Sequence, residues 1–158
     1  MLRGDRIVLR SLEASDLHFL HHIENNLENW IYGSENRYFT KDELLCYIAN
    51  ARVSIRIAKQ YRFVIDNGQP IGFIDLFDYS DDCAYIGIII DVNYRRKNYA
   101  SDALELLISY SFESLQLSFL KCIVKKDNFA SNCLFVKNGF CILNSDRNFH
   151  YYILKNHS

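Results

Sequence analysis

The sequence predicts an α/β (α+β) fold in which a central mixed, mostly antiparallel sheet is flanked by helices. Three observations predict it. Two apolar runs, Tyr61–Ile65 and Ile71–Phe77, are joined through Asn67-Gly68, the dipeptide that best tolerates the positive φ of a tight hairpin. A third run, Ile86-Gly87-Ile88-Ile89-Ile90, reads as a buried strand, because β-branched side chains pack well on a pleated surface. Beyond it strand and helix alternate, so a crossover connection follows an antiparallel meander.

Taken in order, Arg6–Leu12 alternates well enough for a first strand, and Ser15 or Asp16 is placed to cap a helix carrying Leu17, Leu20, His21 and Ile23. Residues 25–38 are polar, aromatic and irregular. Thr40 and Glu43 have capping-box spacing ahead of Leu44, Leu45, Tyr47 and Ile48. That second helix meets no Pro or Gly before Lys59 and is expected to extend that far. After the hairpin, a polar loop (Ser80-Asp81-Asp82-Cys83) leads into Ile86–Ile90. Ala103, Leu104, Leu107, Ile108, Phe112 and Leu115 then recur with the period of a helix burying one face. Phe119–Lys125 is the next strand, and Asn128–Lys137 is a short helix stopped at Asn138-Gly139. Phe140–Leu143 and Phe149–Leu154 form a closing strand pair. No repeat or linker divides the chain, so residues 1–158 read as one domain.

Composition excludes several classes. Half the residues are apolar and 15% are aromatic, which argues against disorder. A net charge of −1 gives no general attraction for nucleic acid or an anionic membrane, so the cations at Arg95–Lys97 are a local feature. No run approaches the roughly 20 apolar residues of a membrane span, and the charged N-terminus lacks a signal peptide's apolar core. Five cysteines without CxxC spacing read as reduced thiols of a cytoplasmic protein, and no cluster has metal-ligand spacing.

Strand, basic turn and helix N-terminus, the order from Ile86 to Leu115, is an arrangement that binds phosphates, since the first N–H groups of a helix lack partners. Taken alone, Arg95-Arg96-Lys97 is equally well a solvated turn. The chain as a whole resembles the N-acetyltransferases of the GNAT superfamily, in the branch that includes spermidine and ribosomal-protein N-acetyltransferases. The resemblance rests on Arg62-Phe63-Val64-Ile65, Pro70-Ile71-Gly72, Ile86–Ile90, Tyr94-Arg95, Tyr99-Ala100-Ser101, Ala103-Leu104, Asn128-x-x-Ser131 and Gly139-Phe140.

It implies acetyl-CoA as cosubstrate. In the family motif Gln/Arg-x-x-Gly-x-Gly/Ala, Arg95 and Ala100 match the first and last positions, and Asn98 stands at the inner glycine. By this likeness the N–H groups of Arg96, Lys97, Asn98, Tyr99, Ala100 and Ser101 cradle the pyrophosphate, while Ile88, Ile89 and Ile90 pair with the pantetheine arm. Asn tolerates positive φ well. Arg96, often glycine in relatives, is the harder fit, although it offers a charge-assisted bond to phosphate. Asn128 and Ser131 would open a helix beside the cofactor, with Asn128 an N-cap in either case. Phe135 occupies the place of a tyrosine that relatives hold near the CoA sulfur, and a phenyl ring has no proton to give.

On the acceptor side, Asp75 interrupts an apolar strand and by alternation shares a face with Ile71, Phe73 and Phe77. A buried carboxylate there is either desolvated towards the range of a general base or bonded to a backbone N–H or a neighbouring Arg. Tyr85, where relatives often have glutamate, is either a wall aromatic or an ammonium-binding ring. Glu24, Glu28 and Glu35 would favour a cationic acceptor if they face the site. His18, His21 and His22 share a helix side without an acid partner and read as a polar face; His150 is a candidate wall residue.

The implied activity is direct acetyl transfer from acetyl-CoA to a primary amine, whether a small amine, a polyamine or a protein N-terminus. Asn98, Tyr85 and Phe135 motivate the alternative, a GNAT-fold module that binds acetyl-CoA or CoA with weak or no catalysis. The C-terminal strands offer a surface for a homodimer.

Overall fold

The structure, a computed structural model, describes residues 1–26 and 38–157. Glu28 and Glu35 therefore lie outside the described residues. In chain order the elements are β1 (Leu2–Arg3), β2 (Val8–Ser11), α1 (Leu17–Glu24), α2 (Lys41–Ala49), α3 (Ile55–Ala58), β3 (Tyr61–Asp66), β4 (Pro70–Phe77), β5 (Cys83–Ile90), α4 (Tyr99–Ser109), β6 (Phe119–Lys125), α5 (Phe129–Lys137), β7 (Cys141–Ser145) and β8 (Phe149–Lys155). Among the described residues the strands form one sheet in the order β1-β2-β3-β4-β5-β6-β8-β7. Every neighbouring pair is antiparallel except β5 and β6, which are parallel and joined by α4. The expected mixed, mostly antiparallel sheet between helices is what forms.

Alternation along the strands sends side chains into two cores. Val64 and Phe73 pack under α1 and α2 with Leu20, Ile23, Leu44 and Ile48. On the other face Ile65, Ile74, Leu76 and Ile86 meet Ala103, Leu104 and Leu107 of α4 and Phe135 of α5. Ile71 departs from the expected face. The ladder pairs Ile65 with Gly72 and Asp66 with Pro70, so Ile71 is an extra residue that bulges into the α4 core.

Three local expectations are corrected. The second helix stops at Ala49, where the Asn50 side chain donates to the Cys46 carbonyl, and α3 starts afresh with Ser54 as N-cap and Lys59 in the left-handed region at its end. Asp16 does not cap α1. Its carboxylate turns back to accept from the Glu13 N–H (2.8 Å) and from both terminal nitrogens of Arg10 (2.9 and 2.8 Å). The helix after β5 is α-helical only to Ser109 and finishes in a π-turn, Tyr110–Ser114. Among the described residues no helix is long and apolar enough to cross a membrane.

Arg10 also reaches Asp66 at 2.8 Å, so one guanidinium ties the start of α1 to the β3 end of the hairpin. The hydrogen bond to Asp16 raises its pKa above the usual arginine value, against the opposing effect of burial. Asp16→Ala leaves a largely buried cation with one remaining carboxylate and is expected to cost about 3 kcal/mol in urea denaturation. A loss below about 1 kcal/mol would mean that Arg10 swings out to water.

Candidate active site

β5 is held by β4 on one edge from Phe77↔Tyr85 to Gly72↔Ile90. The approach is close at Gly72, where an added Cβ would collide with the Ile89 carbonyl. On its other edge β5 touches β6 only at Cys83↔Phe119, Ala84↔Leu120 and Tyr85↔Lys121. β6 meanwhile stays in register with β8 from Phe119 to Lys125. Past Tyr85 and Lys121 the two parallel strands therefore part, and the main-chain groups of Ile86–Ile90 that face β6 have no ladder partner among the described residues. Such an edge is a ready template for an extended ligand carrying amides.

The wedge opens towards the turn before α4. Arg95 Nε donates to the Ile90 carbonyl at 2.9 Å and closes the turn back onto the strand. Arg96 and Asn98 both adopt left-handed backbone, with φ of 63° and 64°. These are the two positions at which the sequence raised the question of glycine, and both side chains accept the strain. Arg6 clamps the turn from β2's side, donating to the Lys97 carbonyl (2.7 Å) and to Asp102 Oδ2 (2.7 Å) while its guanidinium lies over the Tyr99 ring.

Asp102 is the first residue whose N–H is taken, by the Asn98 carbonyl at 3.1 Å. The N–H groups of residues 96–101 find no acceptor among the described residues. They sit at the positive end of the α4 dipole, beside the exposed Arg96 and Lys97. Six unpaired donors and two cations make an anion cradle.

α5 flanks the wedge. Asn128 caps it by accepting from the Ser131 N–H at 3.2 Å, and Asn138 at its far end donates to Ser101 Oγ at 3.4 Å, tying α5 to α4. Phe135 is buried, with its ring 5.1 Å from that of Phe140 and 6.4 Å from that of Tyr152. It is a core residue here. The Tyr152 hydroxyl donates to Asn132 Oδ1 at 2.6 Å. Burial pushes its pKa up, so it keeps its proton.

On the opposite face of the sheet, Asp75 is opposite Arg62 on β3 and Gly87 on β5. Arg62 grips both carboxylate oxygens, Nε to Oδ1 at 2.8 Å and Nη2 to Oδ2 at 2.9 Å, and its Nη1 reaches Glu24 of α1. Of the two situations the sequence left open for Asp75, this is the arginine-bonded one. Burial acts to lower the Arg62 pKa, but the charge of Asp75, then Tyr47 and Glu24, outweighs it and the guanidinium stays ionised. Arg62 thus lies between two carboxylates, Asp75 and Glu24.

Beside it, Gly87 leaves the sheet surface bare. A Cβ there would stand 3.5 Å from Phe77 and 3.9 Å from Asp75 Oδ2. Tyr85 stacks on Phe77 at 5.7 Å at the apex of the wedge, on the same face as the hollow left by the absent Gly87 side chain. Sequence reasoning missed Arg62, Gly87 and the role of Lys121 as the apex residue.

The histidines do not gather. His21 meets the Tyr38 hydroxyl, His22 Nε2 stands 3.5 Å from Asp91 Oδ1, and His150 bonds Ser145 on the β7–β8 hairpin. Among the described residues no group of three His, Cys, Asp or Glu side chains is arranged for a metal ion. Cys133 is exposed on α5, and no disulfide links the five cysteines.

The left-handed pair sets a test. Arg96→Gly removes a Cβ penalty and is expected to stabilise the fold by about 1 kcal/mol, whereas Asn98→Ile should destabilise it by about 1–2 kcal/mol in thermal denaturation. Opposite signs would mean that the turn is not left-handed at these residues.

Comparison with known proteins identifies the arrangement. Residues 6–141 match the family described as the Acetyltransferase (GNAT) domain. The spermidine N(1)-acetyltransferase of Escherichia coli K12 is 30% identical over 139 residues, 86% of this chain and 73% of the relative. A crystal structure of spermidine N-acetyltransferase from Vibrio cholerae in complex with CoA and spermine superposes with a TM-score of 0.85 at 25% identity, covering 96% of each chain. A GNAT-family acetyltransferase from Bacillus anthracis shares the fold at a TM-score of 0.85 and 18% identity, over 98% of this chain and 97% of that one. The chain belongs to the GNAT family of acetyltransferases, enzymes that take acetyl-CoA as cosubstrate to acetylate amines.

Proposed function

We propose that the chain transfers the acetyl group of acetyl-CoA directly to the primary amine of a small cationic acceptor of the polyamine class, in a ternary complex. The observation that carries this reading is the β5 edge without a strand partner, Ile86–Ile90, running into the unpaired N–H groups of residues 96–101. Pantetheine amides pair along Ile88–Ile90, and the pyrophosphate rests on the N–H groups of 96–101 with Arg96 and Lys97 adding charge. Asn128 and Ser131 border the cofactor from α5. The thioester then lies near the apex, within reach of the hollow over Gly87.

A cationic acceptor fits that hollow. The Asp75 carboxylate, across the ladder from Gly87, attracts an ammonium, and the Tyr85 ring offers it a π face. Both oxygens of Asp75 already accept from Arg62, so Asp75 orients the amine and is not a free base. The ammonium first gives a proton to solvent water, and the neutral amine then attacks the thioester carbon. A tetrahedral oxyanion forms, stabilised by a backbone N–H of the open β5 edge. It collapses with loss of the CoA thiolate, which takes up the proton shed by the attacking nitrogen and whose ordinary pKa of about 8.5 makes it a tolerable leaving group without an acid at position 135. The resemblance to spermidine N-acetyltransferases supports the acceptor class. Five free cysteines suit a cytoplasmic setting.

Free-thiol release from acetyl-CoA, followed with spermidine, spermine, amino acids and N-terminal peptides, is expected to show turnover with the polyamines. CoA binding by calorimetry without turnover on any acceptor would favour the binding-module reading. Absence of CoA binding would defeat both. Asp75→Asn is expected to raise the polyamine KM by about tenfold or more while kcat and CoA affinity move little. A collapse of kcat with loss of a limb of the pH–rate profile would instead make Asp75 the base.

A further inference from the structure

A cavity of about 360 Å³ on the sheet face away from Asp75 has no part in the reaction described above. Ser11, Arg56, Tyr61, Phe63, Tyr110 and Leu115 line it. It sits where α4 gives way to its π-turn, at the far end of that helix from the 96–101 turn. Eleven helical residues at ~1.5 Å each separate the two by roughly 16 Å. Its volume falls at the lower end of small-molecule sites, roughly 300–1,000 Å³, and its walls show their usual mixture of rings and a few convergent polar groups.

The walls describe the ligand. Tyr61 and Phe63 lie 4.8 Å apart between ring centroids, and Tyr110 meets Phe63 edge-on at 5.8 Å, so three rings bound a space suited to a planar ring. Arg56 is the charged side chain on the wall, and no carboxylate lines it. Arg56 donates to the Tyr79 hydroxyl at 3.1 Å and meets no carboxylate among the described residues.

The Tyr110 hydroxyl also has no hydrogen-bond partner among the described residues, while Ser11 and Tyr61 satisfy each other at 2.7 Å. Burial, then the neighbouring Tyr61, pushes the Tyr110 pKa up, so it remains a protonated donor. The backbone is specialised at the same place. Leu115 N–H reaches back to the Tyr110 carbonyl (3.1 Å), and π-turns of this kind concentrate at functional sites.

We propose that this cavity binds a small aromatic carboxylate, its ring among Tyr61, Phe63 and Tyr110 and its carboxylate on Arg56, with the Tyr110 hydroxyl as a second donor. A cationic amine is repelled here by the same Arg56, so the cavity and the acceptor hollow select opposite charges.

The test is an NMR titration of benzoate, with benzyl alcohol and benzylamine as controls, on protein saturated with CoA. Benzoate is expected to shift the ring signals of Tyr61, Phe63 and Tyr110 saturably, benzyl alcohol to bind at least about tenfold more weakly, and benzylamine not at all. Arg56→Gln should weaken benzoate by about tenfold or more with thiol release from acetyl-CoA unchanged, and Leu115→Trp, which fills the cavity without touching the charge, should abolish binding. The proposal fails if benzoate leaves those rings unshifted, if Arg56→Gln binds it as well as the parent protein, or if the shifts fall only on residues 96–101. Loss of acetyl transfer with benzoate binding intact would fault the enzymatic reading and not this one.

Discussion

Beyond Tyr85 and Lys121, β5 and β6 no longer pair, while each keeps its outer partner, β5 with β4 through Ile90 and β6 with β8 through Lys125. Twist then carries the two ladders apart. Buried backbone groups normally find partners, so a run such as Ile86–Ile90 with one edge open is costly unless something else supplies the missing strand. The cofactor cleft proposed for this chain is that opening. Everything around it serves to hold it open: Gly72 lets β4 approach β5 closely, Arg95 pins the turn to Ile90, and Arg6 anchors the turn from the bend ahead of β2.

The two faces of the sheet divide the chemistry. The α4 face is apolar as far as the turn, where unpaired N–H groups and two cations favour an anion. The α1 face carries Glu24, Arg62 and Asp75, a part-buried ion cluster in which one guanidinium meets two carboxylates. Its Coulombic attraction acts with little screening because Arg62 is only 17% exposed and packs over Phe73 and Tyr47. The proposed function places an anionic cofactor and a cationic acceptor on opposite sides of one strand, β5.

Much of this was legible in the sequence because it rests on local chemistry. The β-branched run at Ile86–Ile90, the helical period after it and the Asn98 tolerance of positive φ all depend on residues within one segment. What was not legible depends on register. Reading Asn67-Gly68 as a two-residue loop would set Arg62 across from Phe73. The observed loop includes Gln69, and Ile71 bulges, so the ladder slips and Arg62 meets Asp75. Of the two situations open for Asp75 in the sequence, register thus selects the ion pair. The break after Ala49 was equally hidden, since no Pro or Gly marks it and the stop is made by side-chain bonds of Asn50 and Ser54. Phe135 stood out as a missing acid, but its packing against Phe140 and Tyr152 shows what the ring does for the core.

Hydrogen–deuterium exchange with and without CoA tests the central claim most directly, since it reads the backbone groups on which the account depends. CoA is expected to slow exchange at the amides of Ile86–Ile90 that face β6 and across residues 96–101, leaving β7 and β8 unchanged. Tight CoA binding that protects neither segment would contradict the placement of the cofactor between β5 and β6.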